Sequence, residues 1–220
     1  MQQPGRFIVL EGTDGSGSTT QGDLLAAYLQ SEGLEVVRTA QPSDLESGQL
    51  IRRILRGEVG GSKTAVDAAV VALLFAADRV DHGHRVVRPA LQCGAWVVCD
   101  RHLGSSLAFQ VSDQAHAGQG VDTAWVLAIN ERAMTADLTL WLDVPVDIAL
   151  QRIEARGKPL ERFETAAMLT RVRDRYQALH DHPPPLLGPL HRIDAAAARE
   201  TVACAIRQTV QDLRQLPRRA

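Results

Sequence analysis

Eight residues near the N-terminus carry the clearest chemistry. Gly12-Thr13-Asp14-Gly15-Ser16-Gly17-Ser18-Thr19 follows the G-x-x-x-x-G-K-[ST] spacing of a loop that binds phosphate, with one change. Backbone N–H groups wrap an anion best where no Cβ stands in the way, which is the use of Gly12, Gly15 and Gly17. A helix beginning near Ser18 would add its positive pole. Thr19 offers a hydroxyl to a Mg²⁺ ion, and Asp14, Ser16, Ser18 and Thr20 complete the candidate cofactor-binding set. The change is Ser18, which stands where a lysine normally places a point charge on the outer phosphates. The plain alternative is a Gly/Ser turn that only joins a strand to a helix.

Two further groups bear charge. Asp100-Arg101-His102 follows an apolar run, Trp96 to Cys99. A lone Asp-Arg pair is more often a salt bridge, but at a strand end facing a phosphate loop it points to function. Arg152, Arg156, Lys158 and Arg162 cluster around Gly157 and Pro159, a basic loop between two helical stretches. Phosphoryl transfer needs positive charge on the transferred group rather than a strong base, and a closing lid over about 152–164 would supply it. A solvated basic loop is the alternative.

The elements that must position these residues are legible as alternating patterns. Phe7 to Leu10 is a short continuous apolar run, as expected of a buried parallel strand. Leu24, Leu25, Tyr28 and Leu29 recur at helical spacing, and Gly33 stops that helix. Leu34–Thr39 reads as a second strand, Trp96–Cys99 as a third, Leu138–Leu142 as a fourth and His191–Ile193 as a last one. Helices are expected over 44–56, 67–80, 105–115, 123–134, 147–156 with Asp147 as N-cap, 164–180 and 195–216. Gly83 and Pro89 are expected to break the chain before the third strand. The stretch 67–80 is apolar nearly all round, so it should be buried on several sides, in part against a second copy. The result is one α/β domain over 1–220: a parallel sheet of about five strands with helices on both faces.

Composition excludes several classes. Lys+Arg is 24 against Asp+Glu 26, a net charge of -2, which gives no bulk attraction to nucleic acid or membrane. No apolar run reaches the length of a membrane-spanning helix. The N-terminus lacks the pattern of a secretion signal, and Cys93, Cys99 and Cys204 lack metal-ligand spacing, so buried reduced thiols in a cytoplasmic protein are expected.

Four segments, in order, resemble the thymidylate kinase family, over roughly residues 7 to 200. They are Phe7 to Gly17 closing with Thr19-Thr20-Gln21; Leu74-Phe75-Ala76-Ala77-Asp78-Arg79 with His82; Asp100-Arg101-His102 with Ser105-Ser106 and Phe109-Gln110; and Asp137 to Asp143 with Arg152, Arg156 and Arg162-Phe163-Glu164. The resemblance implies a P-loop nucleoside monophosphate kinase fold and transfer of the ATP γ-phosphoryl group to dTMP with Mg²⁺, in a homodimer. It implies that Phe75 stacks on thymine and that Arg79 reaches the base or the monophosphate. Asp14 meets the sugar 3′-hydroxyl, and Arg101 holds the monophosphate with its fork of donors. Asp100 orients Mg²⁺ with Thr19, while Ser105, Phe109 and Gln110 line the base pocket. Arg156 and Arg162, with Asp100 and Arg101, form the catalytic set. One subgroup of the family carries an arginine where Gly15 stands; this chain resembles the other, whose arginines lie in the lid.

The chain also departs from that pattern. Beside Ser18, Ala40-Gln41-Pro42 stands where the family usually reads Arg-Glu-Pro. These departures motivate a second reading, a catalytically impaired relative that binds nucleotide as a sensor or scaffold. A third is a kinase for another pyrimidine monophosphate such as dUMP, since one or two pocket residues decide base choice.

Overall fold

The computed structural model describes residues 5–59, 66–112, 121–157 and 164–215. Five strands form one sheet: β1 (Phe7–Gly12), β2 (Val36–Ala40), β3 (Trp96–Asp100), β4 (Leu138–Asp143) and β5 (Leu190–Asp194). Their order is β2-β3-β1-β4-β5, and every pairing is parallel. The sequence order and the spatial order part company at β1, whose two neighbours are β3 and β4. The carboxyl ends on either side of that point form the crevice where such sheets take ligands. The fold class expected from the sequence is the one found.

The three central strands are buried on both faces, which is why they read as unbroken apolar runs. Ile8, Leu10, Val98, Leu140 and Leu142 face one layer, packed by Leu25 and Leu29 of α1 (Ser18–Ser31) and by Val202 and Ile206 of the last helix. Phe7, Val9, Val97 and Cys99 face the other. There Trp141 joins Leu103, Leu107, Val172 and Tyr176 in a second layer.

Several boundaries differ from the sequence reading. Gly83 and Pro89 do not interrupt the chain. α3 (Ala68–His82) runs through a π turn, Gly83–Val87, into α4 (Arg88–Gln92). Gly83 is right-handed helical at φ -57, and Pro89 lies in the first turn of α4, where its missing N–H costs nothing. Within the chain α3 buries Ala68, Ala72, Ala76, Asp78, Arg79 and His82, while Val70, Leu73 and Val80 are 45%, 49% and 41% exposed.

The remaining helices start or stop a few residues from the expected ends. α5 (Leu103–Ser105) begins two residues early and continues as a π turn, Ser106–Gln110; positions 113–115 lie outside the described residues. α6 (Thr123–Ile129) stops well short of Met134. α7 (Val146–Ala155) takes Pro145 as its N-cap, so Asp147 sits in the first turn instead. α8 (Ala166–Asp181) is capped by the Thr165 hydroxyl, which accepts from the Met168 N–H. α2 (Glu46–Leu55) and α9 (Arg199–Gln215) complete the set. Cys93 and Cys204 are exposed, and Cys99 alone is buried, so two of the three thiols are not the core groups expected. Among the described residues, no helix is long and apolar enough to cross a membrane.

Gly83 gives a test of the continuous helix. A Cβ there would meet only Met134, at 3.5 Å, an ordinary contact. Gly83→Ala is expected to stabilise the fold by about 0.5–1 kcal/mol, through lower chain entropy in the unfolded state. Urea unfolding measures this, and a loss of stability would mean the chain turns at Gly83.

Candidate active site

The glycine-rich loop lies between β1 and α1, with Gly17 at φ 89 as the N-cap of α1. Gly15 has φ +78, and a Cβ there would stand 2.4 Å from the Ala149 carbonyl oxygen of α7. No side chain of any size fits, so an arginine inside the loop is sterically excluded in this chain. Ser16 N–H donates to the Thr13 carbonyl at 3.1 Å, closing the turn. Ser18 is buried in the first turn of α1, whereas Thr19 and Thr20 are exposed. The Thr19 hydroxyl donates to Asp100 Oδ2 at 2.5 Å. Asp100 Oδ1 is buried without a hydrogen-bond partner. A carboxylate oxygen with no donor, next to a threonine hydroxyl, suits a hydrated Mg²⁺, which needs only one or two protein oxygens.

Arg101 is held in the left-handed region at φ 67, uncommon for a side chain of its size. Its backbone N–H donates to the Leu10 carbonyl at 2.8 Å. Its guanidinium donates to the Gly12 carbonyl at 2.8 Å, to Ser105 Oγ at 3.2 Å and to Asp14 Oδ1 at 2.7 Å. It also lies 4.8 Å from the Phe109 ring centroid. Burial works against its charge, but Asp14, Tyr176, Asp100 and Glu11 outweigh this and raise its pKa above the ordinary arginine value.

Sequence reasoning assigned Glu11 no role. It is fully buried and accepts from the His102 N–H at 2.9 Å, Ser105 Oγ at 2.6 Å and Tyr176 OH at 2.9 Å. Its position at the end of an apolar strand, before glycine, was the available signal.

A cleft opens beside Arg101. Asp14, Phe75, Arg101, Ser105, Phe109 and Gln110 all line it, so these sequence-selected residues do converge. Gln110 Oε1 is buried without a partner, an acceptor that a ligand N–H could satisfy. Arg79 does not line the cleft wall. It is 1% exposed and lies behind it. Its guanidinium donates to Gln41 Oε1 at 3.1 Å, to Asn130 Oδ1, to the His102 carbonyl at 3.2 Å and to Ser106 Oγ at 2.7 Å. Burial pulls its pKa down to about 10, so it remains a cation at neutral pH.

Gln41 is the hub of this network. Its Oε1 also faces His102 Nδ1 at 3.1 Å, and its amide nitrogen faces His82 Nδ1 at 3.3 Å. Burial, then the Arg79 charge, pushes His102 down to about 3. Burial likewise lowers His82. The two imidazoles are neutral, and Arg79 is the cation at their centre.

A second cleft lies on the other side of the loop. Ser16, Gly17, Thr20, Gln21, Arg152 and the Ala195–Arg199 turn line it. Arg152 donates to the Gly15 carbonyl at 3.4 Å, which places it against the glycine-rich loop. Arg156 pairs with Glu164 at 2.6 Å. Lys158 and Arg162 lie outside the described residues.

A family model described as "Thymidylate kinase" matches residues 10–202. The chain is 44% identical over 177 residues to a "Probable thymidylate kinase" of Pyrococcus horikoshii, covering 80% of this chain and 82% of that one. It is 41% identical over 200 residues to a protein of the same description from Pyrococcus abyssi, covering 90% and 92%. A "Thymidylate kinase" of Rhizorhabdus wittichii is 38% identical over 213 residues, covering 96% and 99%.

The neutral histidines make stability depend on acid. Unfolded, an imidazole takes its proton near pH 6.5; folded, His102 does so only near 3. Between those values the unfolded chain binds more protons, so stability falls as pH falls. The expected loss from His102 is roughly 1.4 kcal/mol per pH unit below about pH 6.5. Urea unfolding at pH 7.5, 6 and 5 reads the slope, and His102→Asn should reduce it by that amount. An unchanged slope in the variant would show that His102 is charged in the fold.

Proposed function

Because the chain belongs to the thymidylate kinase family, we propose that it transfers the γ-phosphoryl group of ATP to dTMP, giving dTDP. The observation that carries this reading is the placement of two clefts on one loop. Asp14 lines the first, and Ser16 and Gly17 line the second. Two ligands seated in them would bring their anionic ends together at the loop, the geometry an in-line transfer needs. The alanine-lined cleft then takes ATP, and the Phe75 cleft takes dTMP.

The chemistry assigned to each residue is electrostatic. Backbone N–H groups between Asp14 and Thr20 hold the ATP phosphates. Arg101 exchanges its Gly12 and Asp14 contacts for the dTMP phosphate, and Asp14 is released toward the sugar hydroxyl. Phe75 stacks on the ring, and Gln110 Oε1 accepts from the ring N–H. Arg79 keeps Ser106 and His102 in place behind the base. Mg²⁺, held by Thr19 and oriented by Asp100, would screen the phosphate charges. Arg152 over Gly15, with Arg156 and Arg162 of the lid, supplies positive charge as transfer proceeds. No covalent enzyme intermediate is required. The sensor or scaffold alternative finds no support in the comparisons. Three unpaired cysteines favour a reducing compartment, and we assign the protein to the cytoplasm.

A coupled assay across dTMP, dUMP, dCMP, dGMP and AMP, with ATP and Mg²⁺, tests the assignment. dTMP should give the highest kcat/KM. Arg101→Ala should weaken every monophosphate by at least about tenfold, or about 1.4 kcal/mol, whereas Phe75→Ala should also erase the pyrimidine preference. Tight dTMP binding without turnover would favour the silent relative instead.

We further propose a homodimer through α3. Its exposed Val70, Leu73 and Val80 give an apolar face that a two-fold partner would cover with itself. Light scattering should report a dimer at micromolar concentration, and Leu73→Glu should shift it toward monomer. A wild-type monomer would end this proposal.

A further inference from the structure

The corner where Thr19 meets Asp100 has a charge problem. A polyphosphate held by this loop would meet the Asp100 carboxylate, and Ser18 brings no cation to offset it. Besides Arg101, whose charge Asp100 supports, a cation from β2 faces this carboxylate. Arg38 Nη2 lies 3.7 Å from Asp100 Oδ2. The same nitrogen donates to the Thr19 carbonyl at 3.2 Å, Nε donates to Asp23 Oδ1 at 2.9 Å, and Nη1 donates to the Thr39 carbonyl at 2.5 Å. The guanidinium is therefore locked across the first turns of α1, beside the helix end that receives phosphate.

Gly22 makes the room for it. A Cβ at that position would stand 2.7 Å from Arg38 Nη2 and 2.8 Å from Cζ. Glycine is a poor residue for the inside of a helix, yet Gly22 is buried within α1. Its use here is to let the guanidinium lie flat against the helix backbone.

We propose that Arg38 is the built-in counter-ion of this corner: it offsets Asp100, so that a phosphate loop without lysine holds a polyphosphate even before a divalent cation arrives. The inference rests on the loop being the ATP phosphate site. Arg38 is a positioning residue, acting through Asp100 and α1. The signs of its effects are distinctive. Without Arg38, Asp100 repels a metal-free polyphosphate. A bound Mg²⁺ would relieve that repulsion, so nucleotide binding becomes dependent on the metal. A residue that merely held the fold together would weaken both forms of the nucleotide alike.

Calorimetric titration with ADP at low ionic strength, once in EDTA and once in Mg²⁺, reads this split without relying on turnover. Arg38→Ala should weaken metal-free ADP by at least tenfold and Mg²⁺–ADP by less than threefold, with Arg38→Lys intermediate. Gly22→Ala should act in the same direction without loss of thermal stability, because it improves the helix while displacing the guanidinium. In the Arg38→Ala/Asp100→Asn double variant, metal-free ADP should bind within threefold of Asp100→Asn alone, since the Asp100 charge that Arg38 offsets is already gone. Equal losses with and without metal, or no loss at all, would overturn the inference while leaving the nucleotide site intact. Failure of the unaltered protein to bind ADP in either condition would overturn the nucleotide reading and the inference with it.

Discussion

The Glu11 carboxylate is the contact on which the Arg101 side of the molecule depends. It sits at the end of the central strand, fully buried, and joins three elements. It accepts from the backbone of His102 as α5 begins, from Ser105 within α5, and from Tyr176 of α8. An unmatched carboxylate at such depth would be costly, so these donors cannot drift far. The geometry of Arg101 follows from this. Its N–H is pinned to β1 and the next residue is pinned to Glu11, so the chain turns through a left-handed step and aims the guanidinium back at Gly12 and Asp14. Tyr176 stacks on Trp141 at 6.1 Å, which carries the same constraint into β4 and the second core layer.

Behind this lies a network in which one substitution changes the electrostatics. With Gln at 41, Arg79 has a neutral partner where a carboxylate would have made an ion pair. The cation is instead spread over carbonyl, amide and hydroxyl oxygens, and the carboxylates of Glu11 and Asp78 act on it at longer range. Asp78 is itself satisfied by the Ser43 N–H and hydroxyl and by Ser47. The arrangement fixes His102 and Ser106 at the wall of the Phe75 cleft without adding a second negative charge there.

Much of the site was legible because its chemistry is local in sequence. The phosphate loop is set by glycine spacing, and the Phe75 and Asp100–Gln110 segments each span a few residues that a single helix or strand end displays together. Arg79 was found as well, but its setting was not, because a helical period cannot say which polar groups from 41, 102, 106 and 130 will converge on it. The roles of Glu11, Gln41 and Arg38 were not legible for the same reason: each acts through partners distant in sequence. The helical breaks expected at Gly83 and Pro89 failed differently. Both residues tolerate helical φ, and packing against the sheet carried the helix through them.

By itself, then, the sequence determined the alternation of strand and helix, the parallel sheet and the glycine-rich loop between β1 and α1. These follow from apolar period and from glycine's freedom at positive φ, which are properties of short segments. The tertiary structure alone decided which charges face each other. It set Ala149 against Gly15, so no side chain enters the loop there. It laid Arg38 over Gly22 toward Asp100, and it buried Arg79 among neutral partners. Charge interactions fall off with distance and depend on burial, so their outcome waits on where the folded chain brings each group.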